Sequence, residues 1–158
     1  MLNYDLVTPK AAYRILKKRD LGRLLELVFA FYSEIGKKES ISREKVERTV
    51  ESLLGDSGMG TVFMVEKEQD LIGYAIVVNR WSNEHGGNIL RVDEIYIAPP
   101  WRRNGIAGDF INLLCKVAPQ GSVAVEVEVE GAARKAAALW RRLDFKDNGA
   151  RVMIRTLA

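Results

Sequence analysis

The chain has 158 residues, 47% of them hydrophobic and 28% charged, and a net charge of +3. That balance suits one folded domain with an ordinary core; it argues against disorder, and so mild a positive charge does not call for nucleic acid. A single cysteine, Cys115, excludes an internal disulfide, and no apolar run approaches the roughly 18–20 residues that span a membrane. With no basic segment leading into an apolar core near Met1, the expectation is one domain over residues 1–158, cytoplasmic, with neither membrane nor nucleic acid as partner.

In chain order, residues 12–18 alternate and predict a first strand. Asp20 stands as N-cap before Leu21, Leu24, Leu25, Val28, Phe29 and Tyr32, an apolar stripe at helical spacing that Gly36 ends. A second helix is expected from Ser42, with Glu44 in its first turn, Val46, Val50, Leu53 and Leu54 on one side, and Gly55 as C-cap. Runs 61–65 and 71–78 are rich in Val, Ile, Phe and Tyr and predict a hairpin. A turn cluster at 82–88 precedes a fourth strand, 89–97, which Pro99 and Pro100 stop.

Gly105 then turns the chain into a helix showing Ile106, Phe110, Leu113, Leu114 and Val117 on one side. Residues 123–129 alternate Val and Glu as a fifth strand, and 132–143 form an alanine-rich helix. A last hairpin is expected around Asn148-Gly149, with Val152, Met153 and Ile154 in its return strand. The order β-α-α-β-β-β-α-β-α-β-β predicts an α/β fold with a mixed sheet and helices on both faces.

The most informative stretch runs from Glu94 to Ala107. A strand ends, two prolines break pairing, and a basic loop with one glycine opens a helix. The first N–H groups of a helix lack intrahelical partners, and its dipole favours negative charge there. Gly105 would let the main chain approach a pyrophosphate, with Arg102 and Arg103 adding charge. Trp101 followed by Arg102-x-x-Gly105-x-Ala107 resembles the acetyl-CoA-binding motif of the GNAT N-acetyltransferase superfamily. The segment from Ala136 through Leu139, Trp140, Leu143, Asp144 and Phe145 resembles the family's A-x-x-L-Y-x-x-L-G-F signature, and the element order agrees over nearly the whole chain.

The resemblance implies a GNAT-type, mostly antiparallel sheet whose fourth and fifth strands splay to admit the pantetheine arm of acetyl-CoA. Tyr96, Ile97 and Ala98 would meet that arm, Arg102, Arg103, Asn104, Gly105, Ile106 and Ala107 would cradle the phosphates, and Trp140 would lie by the cofactor. The implied activity is transfer of an acetyl group to a primary amine; the alternative is a non-catalytic CoA-binding or regulatory module. Homodimers are common in the family.

Aminolysis of a thioester needs a neutral amine, a donor for the oxyanion and, to ease departure of the thiolate, an acid. Asp93 ranks first as base. It lies where histone- and polyamine-acetylating family members carry a glutamate. Glu94 would face the other side of a regular strand. Glu126, Glu128 and Glu130 share a face of the fifth strand and would form an acidic wall that attracts a cationic small molecule or basic peptide, with Glu128 a further catalytic candidate. Three positions depart from the family pattern: Trp140 replaces a tyrosine that serves as acid, Ala133 an asparagine, and Asp144 a glycine. His85 is expected to be exposed and Cys115 to face the core or a neighbouring helix. No Cys/His/Asp cluster has metal-ligand spacing. Tyr32, Tyr74 and Trp81 are read as core aromatics, with a place in an acceptor pocket as the other option.

Overall fold

A computed structural model describes residues 5–55, 58–129 and 134–157. The strands are β1 (Leu6–Val7), β2 (Ala12–Ile15), β3 (Gly60–Lys67), β4 (Asp70–Ser82), β5 (Gly87–Ile97) and β6 (Ser122–Val127). The helices are α1 (Leu21–Glu34), α2 (Arg43–Gly55), α3 (Ile106–Val117) and α4 (Arg134–Arg142). The sheet runs β1 to β6 in sequence order, antiparallel throughout except for the parallel pair β5–β6. It is the expected mixed, mostly antiparallel α/β architecture. Among the described residues no helix is long and apolar enough to cross a membrane.

The period of two along each central strand divides the core between two faces. Phe63 and Val65 of β3 and Ala75 and Val77 of β4 pack under Ile106, Phe110, Ile111 and Leu114 of α3, with Trp140 of α4. Their neighbours Val62, Met64, Tyr74 and Ile76 pack under Leu24, Leu25 and Val28 of α1 and Val46, Val50 and Leu53 of α2. Phe29 of the predicted α1 stripe is partly exposed and Leu27 takes its buried place. The β3–β4 hairpin closes through Glu68 and Gln69, both at positive φ (53° and 72°), as a two-residue turn matched to strand twist requires.

Asp20 stands at the N-cap position of α1, but its side chain makes no capping hydrogen bond to that helix. It is buried, and its carboxylate accepts both guanidinium nitrogens of Arg14 (2.7 and 3.0 Å) and the N–H of Lys17 (2.8 Å). The hydrogen-bonded Arg14 holds its pKa below the usual carboxylate range despite burial. Because the folded state favours the anion, this stability is present above the unfolded pKa of about 3.9 and is lost as pH falls through the folded value. Asp20→Ala leaves Arg14 buried with one ion partner, Glu66, and is expected to cost about 3 kcal/mol in urea unfolding at neutral pH, with a smaller difference in acid.

The C-terminal hairpin does not form. Residues 145–157 join no strand, and Met153 and Ile154 are 94% and 86% exposed. Asn148 and Asp147 instead accept N–H groups two residues on, at Ala150 and Gly149. Three apolar residues flanked by arginines lack the alternation that commits one face to a core, so pairing offers too little burial to offset the ordering entropy. Cys115 is also corrected: it lies on the exposed side of α3. His85 is exposed as expected, with Nδ1 3.0 Å from the Ser82 hydroxyl.

Candidate functional site

The site begins with an irregularity in β5. Opposite β4, Ile76 pairs with Glu94 and Val77 with Val92, so Asp93 is an extra residue without a partner, a β-bulge. The bulge reverses the strand's phase. Leu90 and Val92 pack toward α3, whereas Tyr96, an even number of residues on, packs toward α1 and α2. The expectation that Glu94 faces away from Asp93 assumed a regular strand and is corrected here. Both carboxylates line one cleft of about 560 Å³ between the sheet and α2, with Tyr32, Lys45 and Arg48 among the other walls.

The two carboxylates have different surroundings. Glu94 is held between two phenols: Tyr32 donates to Oε1 and Tyr74 to Oε2, each at 2.7 Å. Desolvation and the Glu94 charge push the Tyr74 hydroxyl well above its ordinary pKa, so it stays a donor. Asp93 is 46% exposed and makes no hydrogen bond among the described residues. Arg91 Nε stands 3.6 Å from its Oδ1, too long for a hydrogen bond. Desolvation raises the Asp93 pKa, Arg91 opposes the rise, and Glu128 adds to it.

The acidic wall expected on the fifth strand, now β6, is not open. Glu126 accepts from Arg80 (2.6 Å) and Arg91 (3.2 Å), and Glu128 is ion-paired to Arg91. Glu130 lies outside the described residues. The carboxylates that line the cleft are therefore Asp93 and Glu94, while Glu128 is paired to Arg91 and its charge adds to the rise of the Asp93 pKa. Tyr32 lines the cleft and Tyr74 is buried beneath it, while Trp81 is exposed.

Beside the bulge, β5 and β6 part. Their parallel pairing ends at Val92 and Val127, although β5 continues to Ile97. Main-chain groups on that edge of residues 93–97 have no strand partner among the described residues, and the gap has the splayed form predicted for the fourth and fifth strands. Not every predicted position is open. The Ala98 N–H donates to Ile72 O (2.8 Å), and Ile97 O accepts Arg102 Nε (2.6 Å).

The loop after β5 is a nest of main-chain donors. Arg103 and Gly105 have φ of 64° and 71°, and the N–H groups of residues 103–107 find no acceptor among the described residues. Successive N–H groups in such a conformation, at the mouth of α3, form an anion-binding concavity. Asp109 fixes the helix start, accepting from Thr8 (2.5 Å) and Tyr13 (2.7 Å). The Arg102 guanidinium is committed elsewhere: it donates to Glu34 (2.9 Å) and lies over the Tyr96 ring, 5.1 Å from its centre. Arg102 thus acts as a strut from the loop to α1. Burial and the Glu34 hydrogen bond push the Tyr96 hydroxyl up to about 12.

A further cation at the loop, in addition to Arg103, is one the sequence did not mark. Lys10, in the turn between β1 and β2, places its ammonium 2.7 Å from where a Cβ on Gly105 would stand. Lys10 is remote in sequence from the loop, and only the β1–β2 turn brings it there.

The acetyltransferase (GNAT) family model matches residues 21–145. The chain belongs to that family. A search of curated proteins returned no sequence match. Among solved structures, a "possible acetyltransferase" from Clostridium difficile 630 superimposes with a TM-score of 0.79 at 19% identity, covering 92% of this chain and 97% of that one. A ribosomal-protein-alanine N-acetyltransferase from Brucella melitensis biovar Abortus 2308 gives 0.73 at 18%, covering 92% and 99%. AAC(6')-Iy, in complex with the bisubstrate analog CoA-S-monomethyl-acetylneamine, gives 0.76 at 14%, covering 92% and 97%. At these identities the likeness is one of fold.

Within the GNAT family two of the three departures acquire a structural reading. Asp144 has φ of 63°, the left-handed conformation a glycine adopts without strain and Asp tolerates better than most. It closes α4 with Phe145 N–H to Trp140 O (3.0 Å) and its own N–H to Arg141 O (3.2 Å), a Schellman end. Trp140 is buried against Phe145, ring centres 5.5 Å apart, as part of the core beneath α3. Ala133 lies outside the described residues.

Proposed function

We propose that this chain transfers an acetyl group from acetyl-CoA to a primary amine, by direct attack of the amine on the thioester. The observation that carries the proposal is the Asp93 bulge, which sets two carboxylates side by side where β5 and β6 part. The donor set fits the cofactor: the N–H groups of residues 103–107 suit a pyrophosphate, and the open β5 edge suits the amides of a pantetheine arm. Bound there, acetyl-CoA would supply an activated acetyl thioester.

The chain's own groups divide the remaining work. Glu94, held in place by the Tyr32 and Tyr74 hydroxyls, offers a fixed carboxylate to an incoming ammonium. Asp93, without a hydrogen bond among the described residues and with a raised pKa, takes the proton, directly or through one water. A main-chain N–H on the open edge of β5 would serve as donor to the negative charge that develops on the thioester carbonyl oxygen. Lys10 adds a screened charge at the phosphate loop. Lys10→Ala is expected to weaken acetyl-CoA binding about two- to fivefold, less at high salt, by titration calorimetry.

Titration with acetyl-CoA, then thiol release with a panel of amines, tests the reading as a whole. Micromolar binding with thiol release for one amine class is the expected result. A second reading, a CoA-binding module without turnover, is favoured by Trp140, because a buried indole N–H cannot deliver a proton to a thiolate. Binding that leaves the thioester intact with every amine would select it.

A further inference from the structure

We infer that the acceptor is an amine that also carries an anionic group, a carboxylate or a phosphate, bound between the Asp93–Glu94 pair and a cationic face of α2. The inference rests on the acyltransferase reading and deepens it.

Helix α2 carries three cations, Arg43, Lys45 and Arg48, and three glutamates, Glu44, Glu47 and Glu51. Only Lys45 and Arg48 of these six line the cleft. None of the three glutamates lines the cleft, although Glu44 and Glu51 lie one helical turn to either side of Arg48, and Arg43 pairs with Glu47 (3.4 Å). Arg48 makes no hydrogen bond or ion pair among the described residues; the charge of Glu44, one turn back, reaches it only weakly through solvent. The Lys45 ammonium donates to Ser40 O (2.8 Å), which leaves its other hydrogens for a ligand. Thr49 and Ser52 add hydroxyls to the same wall.

Across the cleft stand Glu94 and Asp93, the latter with Arg91 Nε 3.6 Å away, while Glu126 and Glu128 are hydrogen-bonded to Arg80 and Arg91 and do not extend the acidic surface. The ligand therefore meets two negative groups on the sheet and two positive groups on α2. A polycation would set its outer charges against Lys45 and Arg48, a like-charge contact that opposes binding. An amine with an anion at its other end satisfies both walls. The expectation of a cationic small molecule or basic peptide gives way to one of a zwitterionic acceptor.

The test compares matched pairs in the thiol-release assay: γ-aminobutyrate against butylamine, and O-phosphoethanolamine against ethanolamine. Calorimetry of γ-aminobutyrate and butylamine on the protein runs in parallel. In one pair or both, the anionic member is expected to show kcat/KM about tenfold to a hundredfold higher, a difference that shrinks with added salt. Which pair responds tells carboxylate from phosphate. Arg48→Met should raise KM for the anionic member, bring the ratio toward unity, and leave acetyl-CoA affinity unchanged. The inference is overturned if neutral amines react equally well, if the preference survives Lys45→Met combined with Arg48→Met, or if no anion-bearing amine reacts or binds. Should acetyl-CoA itself fail to bind, the acyltransferase reading falls, and the calorimetric comparison still decides the anion site.

Discussion

Asp93→Asn is expected to lower kcat/KM for the acceptor by about 10²- to 10⁴-fold, the range a positioned general base supplies, with little change in acetyl-CoA affinity. Asn keeps the shape and removes the proton acceptor. The pH profile gives the sharper readout. Desolvation raises the Asp93 pKa, so the acid limb of kcat/KM should lie above the ordinary Asp value of about 3.9 and vanish in the variant. The sign for stability is opposite to that of Asp20. A carboxyl whose folded pKa is raised is disfavoured as the anion by the fold, so protonation, or replacement by Asn, should leave the melting temperature unchanged or higher. A variant that loses activity and melts lower would place Asp93 in the structure and not in the chemistry. An unchanged acid limb would move the base elsewhere.

The difference between Asp93 and Glu94 shows where sequence reasoning stops. Asp93 was named only through the family resemblance and β1 not at all, but the helices, strands β2 to β6 and the loop ending in Gly105 were legible, because periodicity and glycine placement act locally. The bulge was not. A one-residue insertion in a strand leaves no composition signal of its own; the sign is that Leu90 and Val92 share a parity with Tyr96 yet serve different cores. Sequence could name Glu126 and Glu128 as an acidic face, but not that Arg80 and Arg91, distant in the chain, neutralise them. Lys10, Lys45 and Arg48 escaped for the same reason, since an isolated cation is uninformative until folding sets it opposite something. The last hairpin was overread from a short Val-Met-Ile run and an Asn-Gly turn.

Gly105→Val is expected to abolish measurable acetyl-CoA binding while the protein stays folded. At φ of 71°, a β-branched side chain at this position is strained, at a cost on the order of 1–2 kcal/mol, which a domain stable by about 5–15 kcal/mol survives. Binding suffers more for two reasons. A shift of Gly105 out of the left-handed region turns the adjacent N–H groups away from a common point, and each charge-assisted hydrogen bond lost weakens binding by about one to two powers of ten. The new Cβ would also stand 2.7 Å from the Lys10 ammonium, displacing that flexible cation from the loop. Gly86→Val is the control. Gly86 has a similar φ of 63° and open space around its Cβ position, but it sits in the β4–β5 turn, away from the loop. Equal destabilisation of the two variants, with binding lost only at Gly105, assigns the effect to the donor nest. Wild-type affinity in Gly105→Val would remove the phosphate loop from residues 102–107 and with it the strongest local ground for the cofactor.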